Sequence, residues 1–137
     1  MSSAPLHSCT RSLRLGETDA AGVMYFANAF EFAHEAVESF FASRGIQLTS
    51  LIADGPHLPL VHASADFLAP IGLGDEVTVT VDSAQCSAGS VTFAVRVVAK
   101  AERLIARVTL VHACIDKSSR HPIEIPAGLR CAISAST

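Results

Sequence analysis

The chain has 137 residues, half of them hydrophobic and 17% charged, with a net charge of −3. That length suits one domain with a proper core, taken here as residues 1–137 with an ordered part over about 7–133. With no basic stripe to neutralise phosphates, nucleic-acid binding is disfavoured, and no stretch is long and apolar enough to cross a membrane.

Residues 1–6 are expected to be loose, and Met1-Ser2-Ser3-Ala4-Pro5 lacks the basic-then-apolar pattern of a secretory leader. A strand is expected from about His7 to Leu15, running into the stretch Gly16 to Asn28 around which the chain is organised. That stretch holds Asp19 in a loop of small residues, with Gly22 three positions on. A helix follows over about Asn28–Arg44. Asn28 with Glu31 reads as a variant capping box, and Gly45 as the residue that ends the helix. Phe30, Ala33, Val37, Phe40 and Phe41 form its apolar face, and Glu31, Glu35 and Glu38 fall on the other side.

Residues 46–57 read as a connection, closed by the turn at Asp54-Gly55-Pro56. Leu58–Leu68 is the second expected strand, with Pro59 tolerable at its entry. Val77–Asp82 and Val91–Val97 alternate strictly, the mark of half-buried strands. Leu104–Asp116 is apolar on both sides in places, which suits a central strand or one that meets another subunit. A Pro-containing tail, His121–Pro126, closes the chain. Strand, long helix and a four-strand meander together give an α+β domain, a five-stranded mainly antiparallel sheet wrapped around a long helix. The high apolar content and the sheet's second face point to self-association. The separated Cys9, Cys86, Cys114 and Cys131 read as free thiols of a reducing compartment, the cytoplasm, rather than as a zinc site or a disulfide frame.

Taken by itself, the Asp19 loop has an ordinary explanation: Asp19 makes an Asx-type turn and Gly22 a bend. Its chemical alternative is a carboxylate beside a helix N-terminus, where unpaired N–H groups and the helix dipole stabilise developing negative charge.

The run Thr18 to Phe26, then a strand ending near Pro70 and Gly74-Asp75 and a hairpin meander, resembles the hot-dog-fold acyl-CoA thioesterases of the 4-hydroxybenzoyl-CoA thioesterase-like group. Within it, His34-Glu35-Ala36 and Leu58 to Phe67 are most similar to the 1,4-dihydroxy-2-naphthoyl-CoA thioesterases of cyanobacterial phylloquinone and menaquinone synthesis. The resemblance implies a hot-dog fold, a homodimer or homotetramer, an acyl-CoA substrate, and no metal or redox cofactor. It implies Asp19 as the catalytic carboxylate, the Phe26 backbone N–H as the holder of the thioester oxygen, and Gly22 as the residue that lets the loop approach. An ionised aspartate can attack the thioester carbon or activate water; attack is favoured, because a carboxylate of ordinary pKa is a feeble base. Tyr25, His34, His62 and Ser64 are the implied substrate contacts, His34 being equally placed for a ring hydroxyl or a subunit contact. Lys117, Arg120 and His121 are candidates for the CoA phosphates. Glu35 is a rival catalytic acid, as a helix Glu is in another hot-dog branch, but it and Glu31 read better as a solvated or inter-subunit face. His112 reads as structural. The same machinery fits 4-hydroxybenzoyl-CoA or a short-chain acyl-CoA, and a non-catalytic acyl-CoA binding module is the reading of another class.

Overall fold

The computed structural model describes residues 4–135. The expectation of a loose N-terminus therefore falls, for residues 1–3, outside the described residues. The elements in chain order are β1 (His7–Ser12), α1 (Asn28–Ser43), α2 (Leu48–Asp54), β2 (Leu60–Phe67), β3 (Glu76–Cys86), β4 (Ser90–Ala99), β5 (Arg103–Ala113) and α3 (Ala127–Ser134). The sheet is antiparallel throughout, in the order β1-β3-β4-β5-β2.

α1 lies across one face of this sheet, against β1, β3 and β4. It buries Ala29, Phe32, Ala33, Ala36, Val37, Phe40 and Phe41, a stripe at spacings of three and four. Opposite stand the buried-phase residues of the strands, Val77, Val79 and Val81, then Val91, Phe93, Val95 and Val97. Phe40 and Phe41 both meet Phe93 edge-on, at 6.1 and 5.7 Å between ring centres. Each large side chain sealed in this way contributes roughly 1.5–3 kcal/mol. The helix ends as expected: Gly45 takes φ +76°, its N–H donates to the Ala42 carbonyl, and the Ile46 N–H donates to Phe41. That is a Schellman closure, which needs a left-handed residue at its corner.

Several expectations are corrected. The first strand stops at Ser12, and a 3-10 turn over Leu15–Glu17 follows. The capping box does not form. Ala27, already helical at φ −65°, is the cap residue, the Asn28 N–H donates to Tyr25, and the Asn28 side-chain amide donates to Glu31 at 3.0 Å. The tight turn before the helix supplies the carbonyls that a side chain would otherwise replace. Phe32 rather than Phe30 sits on the buried stripe, with Phe30 half-buried at its border. Within 46–57 lies the short helix α2, and beyond Pro126 the short helix α3. β5 ends at Ala113, and Ile115 makes only isolated bridges to His57 and Pro122. The meander has three strands, not four: β2 crosses to the far edge and pairs with β5.

Candidate active site

Two features share no residue. The first is the loop between the 3-10 turn and α1. The Gly22 N–H donates to the Asp19 carbonyl at 3.0 Å, and the Asp19 N–H donates to Val23 at 2.8 Å. Gly22 adopts φ +79°, where a Cβ is disfavoured. Asp19 Oδ1 accepts the N–H groups of Ala21 at 2.8 Å and Val23 at 3.3 Å. This is an Asx turn. It also fixes the carboxylate by one oxygen, and among the described residues nothing binds Oδ2. The side chain is exposed. The loop is moored to the β3 entry by the Met24 N–H, which donates to Ile71 at 2.8 Å.

At the helix entry the Tyr25 N–H donates to the Glu17 carbonyl at 2.8 Å, and the Asn28 and Ala29 amides donate to Tyr25 and Phe26. Between them, the Phe26 and Ala27 amides take no partner among the described residues. Unspent amides at the start of a 16-residue helix are donors in a favourable field. The exposed Phe26 ring lies 4.7 Å from Tyr25 and edge-on to Phe67 of β2 at 6.3 Å.

The second feature is a cavity of about 560 Å3 between α1, α2 and the end of β5. Leu51, Ile52 and Ile115 give it an apolar body, while His34, His112 and Arg120 give it polar points. His112 is 7% exposed. Its Nδ1 donates to the Leu58 carbonyl at 2.9 Å, so in the neutral ring Nε2 is the acceptor, and Nε2 has no partner among the described residues. Burial pushes its pKa below the ordinary histidine value. The Leu58 carbonyl works against that shift, and the neighbouring His34 adds to it. The two imidazoles are near-parallel, 5.8 Å apart. The reading of His112 as purely structural is thus incomplete, since its ring forms part of the cavity wall. The signal was in the sequence: His112 shares the buried phase of its strand with Val108 and Leu110.

A family model described as the thioesterase-like superfamily matches residues 13–133. The chain belongs to that superfamily. The chain is 37% identical over 123 residues to a 1,4-dihydroxy-2-naphthoyl-CoA hydrolase of Acaryochloris marina, covering 88% of this chain and 90% of the relative. It is also 37% identical over 125 residues to one of Synechocystis, covering 90% and 91%. Among solved structures, a 1,4-dihydroxy-2-naphthoyl-CoA thioesterase from Synechocystis superposes with a TM-score of 0.88 at 33% identity, covering 94% of this chain and 96% of that one. The sheet and its central helix are the hot-dog fold.

In this thioesterase-like chain the expected site residues do not all converge. Asp19, Gly22, Tyr25 and Phe26 share the loop. His34 lies on the cavity wall, on the exposed side of α1. His62 and Ser64 do not join it. They pair with Val111 and Thr109 on the sheet face turned away from α1, whereas Ala63 and Ala65, opposite Leu110 and Val108, face inward. Arg120 reaches the cavity, held at φ +61°. Lys117 donates to the Ala53 carbonyl of α2, and His121 is exposed beside it. Glu35 is ion-paired with Arg11 at 2.6 Å, and Glu31 receives Asn28. Among the described residues no three His, Cys, Asp or Glu side chains gather as a metal site, and no described helix is long and apolar enough to cross a membrane.

Proposed function

We propose that this chain is a hot-dog acyl-CoA thioesterase that hydrolyses 1,4-dihydroxy-2-naphthoyl-CoA to the free acid and CoA, in the making of a naphthoquinone such as phylloquinone or menaquinone. One observation carries the chemistry: a carboxylate with a free oxygen and an unspent helix-entry amide sit seven residues apart on one moored loop. The relatives that bear this substrate in their names support the acyl group.

The thioester carbonyl accepts the Phe26 N–H, so the oxygen gains charge where the helix dipole favours it. Asp19 Oδ2 attacks the carbonyl carbon and the C–S bond breaks. CoA leaves as a thiolate, stable enough to need no strong acid, since thiols titrate near ~8.5. Water then opens the mixed anhydride, releasing the aromatic acid and restoring the carboxylate. Neither step calls for a metal or a redox cofactor.

The working unit is a dimer, or a tetramer made of two dimers. β2 is an unpaired sheet edge carrying Val61 at 60% and Phe67 at 47% exposure, with Phe26 leaning on it. Such an edge needs a cover. A second copy paired along β2 buries it and extends the sheet, and the two-fold sets one copy's loop towards the other's cavity, which takes the rings. Gly22 keeps the loop close to the thioester, and Tyr25 and His34 meet the acyl group. His62 and Ser64 meet ligand only if another copy covers the outer sheet face. Arg120, with Lys117 and His121, meets the CoA phosphates. The free thiols of Cys9, Cys86, Cys114 and Cys131 suit the cytoplasm.

The test is release of CoA thiol from 1,4-dihydroxy-2-naphthoyl-, 4-hydroxybenzoyl-, benzoyl- and short aliphatic acyl-CoA. The naphthoyl ester is expected to lead in kcat/KM by orders of magnitude. A lead for benzoyl or aliphatic esters removes the acyl assignment and keeps the thioesterase. No hydrolysis at all leaves a binding module.

A further inference from the structure

We infer that Glu17, held by Arg11, is a positioning residue that sets Asp19 against the Phe26 amide. The inference rests on the thioesterase reading of that loop.

Glu17 is only 9% exposed, an unusual place for a carboxylate, and it is occupied at both ends. Its Oε1 accepts the Arg14 N–H at 2.9 Å, and its Oε2 pairs with the Arg11 guanidinium. Arg11 stands on β1, its guanidinium 3.9 Å from the centre of the Phe32 ring of α1, and its other nitrogen reaches Glu35 of α1 at 2.6 Å. The pair therefore ties strand, turn and helix together. A buried ion pair gains little net stability over apolar packing, so its physical value is geometric.

The main chain of Glu17 then acts on the loop directly. Its carbonyl accepts the Tyr25 N–H, which spends that amide, while the next one, Phe26, takes no partner among the described residues. Two residues along the chain stands Asp19. One residue thus pins the loop's start by its side chain and its end by its carbonyl, so the separation of nucleophile and oxyanion donor depends on it. Displacements of about 1 Å at such a pair cost on the order of 10²-fold in rate.

The experiment measures kcat and KM for Glu17→Gln, Glu17→Ala, Asp19→Asn and the double variant Asp19→Asn/Glu17→Gln, well below each unfolding midpoint. Gln keeps an acceptor for the Arg14 amide and loses the charge for Arg11, so it is expected to retain more activity than Ala. Glu17→Gln is expected to lower kcat roughly 10-fold and Glu17→Ala roughly 100-fold, with KM within about threefold. The double variant is expected to be no slower than Asp19→Asn alone, because groups that act as one unit are not additive. An unchanged kcat, a KM that rises in step, or losses that multiply in the double variant overturn the inference. Where Glu17→Ala does not fold, Arg11→Lys replaces it, with a kcat loss of about 3- to 10-fold expected. If the wild type hydrolyses no thioester, the functional reading fails. The clamp is then read on Tyr25 amide exchange: faster exchange in Glu17→Gln than in wild type supports it, and equal exchange overturns it.

Discussion

The Asp19 loop and the cavity beside α2 are built on opposite terms. The loop is made by main chain: its turn, its mooring to Ile71 and its free Phe26 amide are backbone features, and only Asp19, Gly22 and Glu17 matter by identity. The cavity is made by side chains, Leu51, Ile52 and Ile115 around two imidazoles. Backbone donors are rigid and indifferent to substitution, which suits a step common to every thioester. Side-chain walls are adjustable, which suits the choice of acyl group. Substitutions in the loop are therefore expected to move kcat, and substitutions in the cavity to move KM and the preferred ester.

The largest expected effect is Asp19→Asn, which removes the attacking carboxylate: a fall in kcat of roughly 10⁴–10⁶ with little change in KM, read by thiol release. A matching rise in KM breaks the division of labour. Next comes Gly22→Ala. Among the described residues no atom lies within 4 Å of an added Cβ, so the cost is the left-handed backbone, about 1–2 kcal/mol. The loop relaxes and kcat falls roughly tenfold, while Gly22→Asn, which tolerates that conformation, loses less. Arg120→Ala, on the cavity side, is expected to raise KM for the CoA ester about threefold and spare kcat, the size of one solvent-exposed ion contact. The smallest effect concerns stability. Burial keeps the folded His112 ring neutral below its ordinary pKa. As pH drops through about 6.5 the unfolded chain takes a proton that the folded chain refuses, so this contribution is full above that pH and declines below it. His112→Asn keeps a donor for Leu58 and does not titrate. Its unfolding midpoint is expected to fall less than that of wild type, by a few degrees, between pH 7.5 and 5.5.

The strands from Val77 and Val91 were legible because each alternates over a half-buried face. The central helix was legible from its stripe, but Phe30 and Phe32 stand about 160° apart on its two borders, and spacing alone did not tell which of them is sealed. α2 and α3 were not: one buries no residue fully and the other only Ile133, so neither imprints a period on the chain. The move of β2 to the far edge was hidden for another reason. Alternation tells which face a residue takes and nothing about which strand lies beside it. At the site, Asp19 and Gly22 stood out as a carboxylate and a left-handed turn residue in a run of small side chains. Glu17 did not, because a glutamate in a polar run reads as surface until Arg11, six residues back, folds over it.

Phe26 belongs to two structures at once. Its main chain carries the free amide, and its ring rests on Phe67 at the unpaired edge of the sheet. Whatever grips that edge also steadies the donor, so the enzyme's specific activity is expected to depend on how much of it is in the tube. On the proposed dimer along that edge, a concentrated stock diluted into assay buffer should slow over minutes as copies part, and added carrier enzyme made inert by Asp19→Asn should restore the rate.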